Sequence, residues 1–387
     1  MPPRKKQRRQ EPQAPAPAPV PTASSALLSA AQRGDAEAVK AELAAAGAEP
    51  NVKNTEKGRT ALHLAAQEGH LAVVELLLAD ERVDPNPRDD IGVTPLMFAA
   101  QEGHSTLALR LLQDARTHPG LETPKSSALA RWTALFVAAK AGLTEVVEKM
   151  LADHRVKPNT VNEEGDTALS VAASLGHLAV VELFLADQRV KPNVANKQGC
   201  TALMYAASGG HVAVVERMLA EERVDPNQTV PQPLKLGFGF RQAETASAAS
   251  QLSYTALLFA CSTKAYDVVK LMLASKRVDP GAFTNYSTQG VDALLMLARD
   301  GHAALVTTIL KDKRVDPNRG PTFGRIKDLT PLQIAAGNGH CDVVRALLAD
   351  KRVDVLKRGA DNETALESAR IGNQSETAQL IWNHQNC

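Results

Sequence analysis

The chain is poor in the residues that build large cores, covalent staples and catalytic sites. Aromatic side chains make up 4% of its 387 residues, so a core of large rings is excluded and thin layers of small and aliphatic residues are expected. Its four cysteines, Cys200, Cys261, Cys341 and Cys387, show no paired spacing. That excludes a disulfide framework or a zinc site and points to reduced thiols in a cytoplasmic or nuclear protein. Glu or Asp interrupts every long apolar run, so no membrane span is expected, and the N-terminus lacks the apolar stretch of a secretion signal. Also missing are a phosphate loop ending in Lys-Ser/Thr, a Gly-x-Ser-x-Gly elbow and a His-Glu-x-x-His metal motif. Gly237-Phe238-Gly239 has no strand–helix context and is a weak phosphate signal. The chain is therefore read as non-enzymatic, with no cofactor and no metal.

Neither charge sign dominates: 44 Lys and Arg stand against 43 Asp and Glu, a net charge of +1. The distribution is uneven. Residues 1–24 hold five basic residues and one Glu, leaving 39 basic and 42 acidic residues in the remainder. A weakly acidic body behind a basic tail argues against a body that grips nucleic acid. The tail, MPPRKKQRRQEPQAPAPAPVPTAS, is basic and then proline-rich, a composition that cannot form a core. Lys5, Lys6, Arg8 and Arg9 read either as a nuclear-import signal or as a solvated charge run. Weak nucleic-acid binding through the tail is the alternative function; it would weaken steeply with salt and vanish on deleting residues 1–24.

What the chain has in abundance is one stretch, repeated. Thr60 to Asn86 reads TALHLAAQEGHLAVVELLLADERVDPN, and copies open at Thr94, Thr133, Thr167, Thr201, Thr255, Asp292, Thr330 and Thr364, after a polar first copy at Ser25. Ten units result, with five of nine spacings at 34 or 35 residues, which means stacked supersecondary units. In each, Thr caps a helix of about two turns whose Leu62, Ala65 and Ala66 face inward. Gly69 ends it in a left-handed turn. A second helix follows, with Val73, Val74, Leu77 and Leu78 on a buried stripe, and the chain leaves through Arg-Val-Asp-Pro-Asn toward a tight turn. One unit cannot bury its apolar face, whereas ten together form a continuous core.

Six of the ten histidines, His70, His104, His177, His211, His302 and His340, occupy one repeat position. A catalytic histidine occurs once at a site, so these are read as architecture, each making a hydrogen bond at the turn into the second helix. Residues 228–254 insert between units; smaller insertions follow Gly120, Gly281 and Asn318, all at the same point of the unit. In the long one, Lys235, Phe238, Phe240 and Arg241 make either a recognition loop or a length variation that a hairpin tip tolerates. The unit after it carries Lys264 and Ala265 where others have Gly and His. A reshaped turn is expected there, with the array splitting into folding blocks near Ser25–Asn227 and Thr255–Cys387.

Thr60-Ala61-Leu62-His63-Leu64-Ala65 is nearly the Thr-Pro-Leu-His-x-Ala pattern of the ankyrin repeat, and the following Ala-x-x-Gly-His and Val-Val-x-x-Leu-Leu match it as well. The chain resembles that family from about Ser25 to its end. The resemblance implies an all-α solenoid of helix–turn–helix units joined by β-hairpin loops, over residues 25–387, behind the tail of 1–24. It implies that the His63 ring braces the hairpin. It also implies a scaffold, expected to be monomeric, that binds an unidentified partner protein through its hairpin tips and the concave face of the first helices. By position those residues are Gln67, Glu68, Gln101, Glu102, Lys140, Ser174, Leu175 and Ser208, with Arg88, Asp90 and Ile91 in a hairpin. The asparagines of the exit runs, such as Asn86 and Asn193, resemble hydroxylated hairpin asparagines in the family; the turn role of Asn is the default reading.

Overall fold

In the computed structural model, described for residues 23–127, 129–232, 252–282, 291–321, 328–359 and 361–386, twenty helices form ten pairs. The first five pairs are α1 Ala23–Arg33 with α2 Ala36–Ala44, α3 Ala61–Glu68 with α4 Leu71–Ala79, α5 Pro95–Gln101 with α6 Ser105–Gln113, α7 Ala134–Lys140 with α8 Thr144–Leu151, and α9 Ala168–Ser174 with α10 Leu178–Ala186. The second five are α11 Ala202–Ser208 with α12 Val212–Ala220, α13 Ala256–Ser262 with α14 Tyr266–Ala274, α15 Ala293–Asp300 with α16 Ala303–Leu310, α17 Pro331–Gly337 with α18 Cys341–Leu348, and α19 Ala365–Ile371 with α20 Ser375–Asn386. Helices this short are not stable alone, so each depends on its neighbours. First helices stack on first helices and second on second. Paired alanines, such as Ala65 and Ala66 or Ala206 and Ala207, are fully buried where first helices meet, and their small size lets the backbones approach. The valine pairs of the second helices, Val73 and Val74 among them, are equally buried, so one core runs through the stack.

Capping follows the repeat. The hydroxyls of Thr133 and Thr167 accept from the N–H groups of Phe136 and Ser170 at 3.1 Å each, and Asp292 does the same for Leu295 at 2.9 Å. At the end of the first helix Gly69 has φ 79°, and Lys264, against expectation, takes the same turn with φ 62°. The turn is not reshaped: the Ala265 N–H donates to the Ala260 carbonyl at 2.9 Å, just as His211 donates to Ala206 at 3.0 Å. Packing and hydrogen bonds around this turn outweigh the steric penalty of a left-handed lysine.

The loops between units are short hairpins. Asp89 and Val93 close one with a backbone bond of 3.1 Å, and isolated antiparallel bridges pair Glu122 with Thr133 and Val161 with Thr167. Among the described residues longer paired strands occur only in the long insertion. There β1 Val230–Gln232 and β2 Leu252–Tyr254 pair antiparallel, Val230 opposite Tyr254. The ribbon brings both ends of the insertion to one place, so the chain rejoins the stack where it left. Helix α13 accordingly packs on α11, and α14 on α12. The stack of helices is thus continuous past Asn227.

Three kinds of side-chain link tie most units to the next, and all reach main-chain atoms. The first is the repeated histidine, whose bond runs to the preceding unit and not to its own turn. Nε2 of His70, His104, His177, His211 and His340 meets the carbonyls of Gln32, Gln67, Lys140, Ser174 and Arg299 at 2.9–3.1 Å. The ring then lies on the left-handed glycine of that unit: a Cβ on Gly69 would come within 2.7 Å of His104, and one on Gly176 within 2.6 Å of His211. The glycine is thus required twice, for its φ and for the ring above it.

The second link is the asparagine that ends the exit run. Asn193 donates from Nδ2 to the Arg223 carbonyl (2.7 Å) and accepts at Oδ1 from the Asp225 N–H (2.9 Å). Asn51, Asn86, Asn159, Asn227 and Asn318 make the same pair of bonds to the unit after them. The third link is the arginine that opens the run. Arg116 donates from Nη2 to the carbonyl of Leu78, in the last turn of α4, at 2.7 Å; Arg82, Arg189, Arg223, Arg277 and Arg352 reach Leu43, Leu151, Leu185, Leu219 and Leu310 likewise. A cation thereby sits at the negative end of a helix dipole. In most units the arginine of the exit run is also held by an acid two residues earlier, at 2.6–2.8 Å for Asp80, Asp114, Asp153, Asp187, Glu221, Asp312 and Asp350. The Arg155 guanidinium lowers the Asp153 carboxyl to about 2.

Candidate protein-binding surface

After each buried alanine pair the helix turns its next residues outward, by about 100° per residue. These positions recur once per unit and form a row along the first helices. Glu68, Gln101, Glu102, Lys140 and Leu175 are exposed in it, and Gln67, Ser174 and Ser208 are half-buried. The row changes character along the stack. Glu68 and Glu102 supply carboxylates and Lys140 a cation, while Ser174, Leu175 and Ser208 are uncharged, with Leu175 47% exposed.

Several of these side chains are already engaged. Gln67 accepts from Nη1 of Arg59 and donates to Glu68 Oε1 at 3.2 Å, and Gln101 donates to Glu102 at 3.2 Å. The Ser174 and Ser208 hydroxyls donate to the carbonyls of Val171 (2.8 Å) and Tyr205 (3.1 Å) in their own helices. Lys140 holds its ammonium 5.1 Å from the centre of the Trp132 ring, an attraction of the cation–π kind.

At the hairpin edge Asp90 is exposed and Ile91 is 40% exposed. Arg88 is half-buried, and its Nη1 donates to the Glu122 carbonyl of the next hairpin at 2.9 Å, so it acts as a strut between hairpins. The Asp90 N–H donates to the Lys57 carbonyl at 3.0 Å, which ties that hairpin to the one before it. Behind this edge His63 does brace the hairpin: the Thr60 N–H donates to its Nδ1 (3.1 Å) and Nε2 donates to the Val93 carbonyl (3.0 Å). Burial holds this ring at about 4, so it is neutral near pH 7. Arg59 lies 4.4 Å from the centre of the Phe98 ring, with its Nε 3.7 Å from Asp89.

Lys235, Phe238, Phe240 and Arg241, and Lys5, Lys6, Arg8 and Arg9 of the tail, lie outside the described residues. Two features of the surface are not in the sequence reading. One is Trp132, beside the cap Thr133; a tryptophan in a chain with only two was the available signal. The other is Tyr205, which accepts from Asn196 Nδ2 (2.7 Å) and donates to Asp166 (3.2 Å), joining two successive hairpins to a first helix. Burial and the Asp166 carboxylate raise its phenol.

Among the described residues no three His, Cys, Asp or Glu side chains gather as a metal site, and no helix is long and apolar enough to cross a membrane. Cys200 and Cys261 are buried, and burial pushes the Cys261 thiol up. A family model described as ankyrin repeats, three copies, matches residues 27–123, 119–194, 135–230, 181–284 and 294–387. No curated protein matches the chain.

Proposed function

We propose, from the premise that this chain belongs to the ankyrin-repeat family, that it is a non-catalytic scaffold binding a partner protein along the first-helix row and the hairpin edge. The observation that carries this reading is the row itself. Two adjacent positions of successive units vary, one through Gln67, Gln101, Lys140, Ser174 and Ser208 and the next through Glu68, Glu102, Ala141, Leu175 and Gly209. The alanine pair just before them is buried in all five. A uniform core under a varied, regularly spaced surface lets a partner be recognised by pattern without altering stability. Ile91 and Leu175 supply apolar anchor points, and Glu68, Glu102 and Lys140 fix the order of charge.

The test is an affinity capture with the full chain in three forms. One is unchanged, one carries Glu102→Lys, Lys140→Glu and Leu175→Asp, and one carries Glu148→Lys, Glu182→Lys and Glu216→Lys on the exposed second helices. Proteins retained by the first and third forms but lost from the second are the expected result. Retention of the same proteins by the second form would place the interface elsewhere.

A further inference from the structure

The three inter-unit links are not distributed evenly, and at one junction all three are missing together. Between the third and fourth units Leu143 stands where the histidine would be, and Gly120 where the asparagine would be. Arg155 bonds its own Asp153 at 2.6 Å and, among the described residues, makes no bond back to α6. Every other junction between the first nine units keeps more. The sixth and seventh units lack the histidine but keep the Asn227 and Arg277 links. The seventh and eighth have Gly281, and His302 packs on the Tyr266 ring at 3.5 Å; still, Arg314 reaches the Val278 carbonyl (3.1 Å) and the Tyr266 hydroxyl donates to Asp300 (3.1 Å).

The geometry around the bare junction is consistent from both sides. Gly103 has nothing within 4 Å of where a Cβ would sit, although at Gly69, Gly142, Gly176 and Gly301 the next unit's histidine fills that space. On the side of the second helices a cleft of about 500 Å³ opens, with Leu112 and Pro119 on the third unit's wall and Lys149, Ala152 and Arg155 on the fourth's. On the opposite side the hairpins remain tied by Arg88 on the Glu122 carbonyl. What holds the two units elsewhere is apolar packing of α5 on α7 and α6 on α8, which is non-directional and resists separation more than tilting.

We propose that the junction between the third and fourth units is a hinge, pivoting at the hairpin edge and opening or closing at the cleft. Units one to three then swing relative to the rest of the array. The first-helix row changes curvature between Glu102 and Lys140, which would let one scaffold fit partners of different shape. The inference concerns motion of the free chain and stands whether or not the proposed binding surface is correct.

Nitroxide labels on the full chain test it, carried on ketone-bearing residues so that the four cysteines stay in place. One pair replaces the exposed Glu75 and Glu148, spanning the bare junction; the other replaces Glu148 and the exposed Glu216, spanning two fully linked ones. The distance distribution of the first pair is expected to be about twice as wide as that of the second. Leu143→His, for which Gly103 leaves room, should narrow the first, and His177→Leu should broaden the second. Equal widths in the unchanged chain would overturn the hinge. A broad first distribution that neither substitution affects in this way would overturn its assignment to the missing links. Should one variant fail to fold, the other and the comparison within the unchanged chain still decide.

Discussion

Asp292 caps α15 where eight other units carry threonine, and the change has a pH signature. Burial raises its carboxyl to about 6, against the pull of the Leu295 N–H it accepts. The folded chain therefore keeps this proton after the unfolded chain has lost it near pH 4, and stability falls as pH rises from about 4 to about 6. Asp292→Asn keeps the accepting oxygen and removes the titration. It should flatten that part of the profile and add roughly 1–3 kcal/mol at pH 7, read from urea midpoints at several pH values. Parallel profiles for the two proteins would show that burial does not raise this carboxyl in the fold. His63 works in the opposite direction. Its folded value near 4 lies below that of the unfolded ring, so its contribution is complete above about 6.5 and is lost as pH falls toward 4. In the ninth unit Gln333 makes the same brace, accepting from the Thr330 N–H at 2.7 Å and donating to the Glu363 carbonyl. His63→Gln should accordingly leave the fold intact and reduce the loss of stability between pH 6.5 and 5, a comparison that thermal melts at the two pH values would settle.

The helix-to-helix turn of the seventh unit shows how an element absorbs a misplaced residue. Lys264 sits at φ 62° in a position glycine fills in its neighbours, and it holds there because the turn's backbone bonds are kept. Lys264→Gly should raise stability by up to about 1 kcal/mol, less whatever the freer unfolded chain takes back. A lower denaturation midpoint would mean that the lysine side chain contributes more than its backbone costs. The repeat made the helices, caps, left-handed glycines and buried stripes legible in the sequence, because each depends on residues within one unit. The links between units were not legible. The histidine bond, the asparagine pair and the arginine reach all end on backbone atoms 30 or more residues away, and a backbone carbonyl leaves no mark in the residue names. Lys264 and the long insertion stand out in the sequence at the junction of the sixth and seventh units, whereas the missing links between the third and fourth are marked only by Leu143 and Gly120, two ordinary substitutions 23 residues apart. The surface positions on the first helices came from the family resemblance, carried over by repeat position; Arg88 was not recognisable as a strut because its partner is a carbonyl of another hairpin.

Over the whole molecule, the arginine–acid pairs set a common response to acid. The guanidinium beside each holds Asp80, Asp114, Asp153, Asp187, Glu221, Asp312 and Asp350 below the usual carboxylate range. Groups lowered in the fold contribute fully above the unfolded value near 4 and lose that contribution as pH falls through the folded one. Stability should drop steeply between pH 4 and pH 2, with a smaller drop in high salt because the pairs lie near the surface. An acid limb unaffected when Asp153, Asp187 and Asp350 are replaced by Asn would exclude these pairs as its source. The links also bear on how such an array changes over generations. A histidine, asparagine or arginine that bonds only its neighbour's carbonyls and amides asks nothing of the neighbour's side chains beyond the glycine beneath the histidine ring. Duplication, loss or transplantation of a complete copy leaves each new seam with the same acceptors in the same places. A further 34-residue copy set between the fifth and sixth units would need no compensating substitution in either, and the array could be lengthened like a sentence extended by a clause.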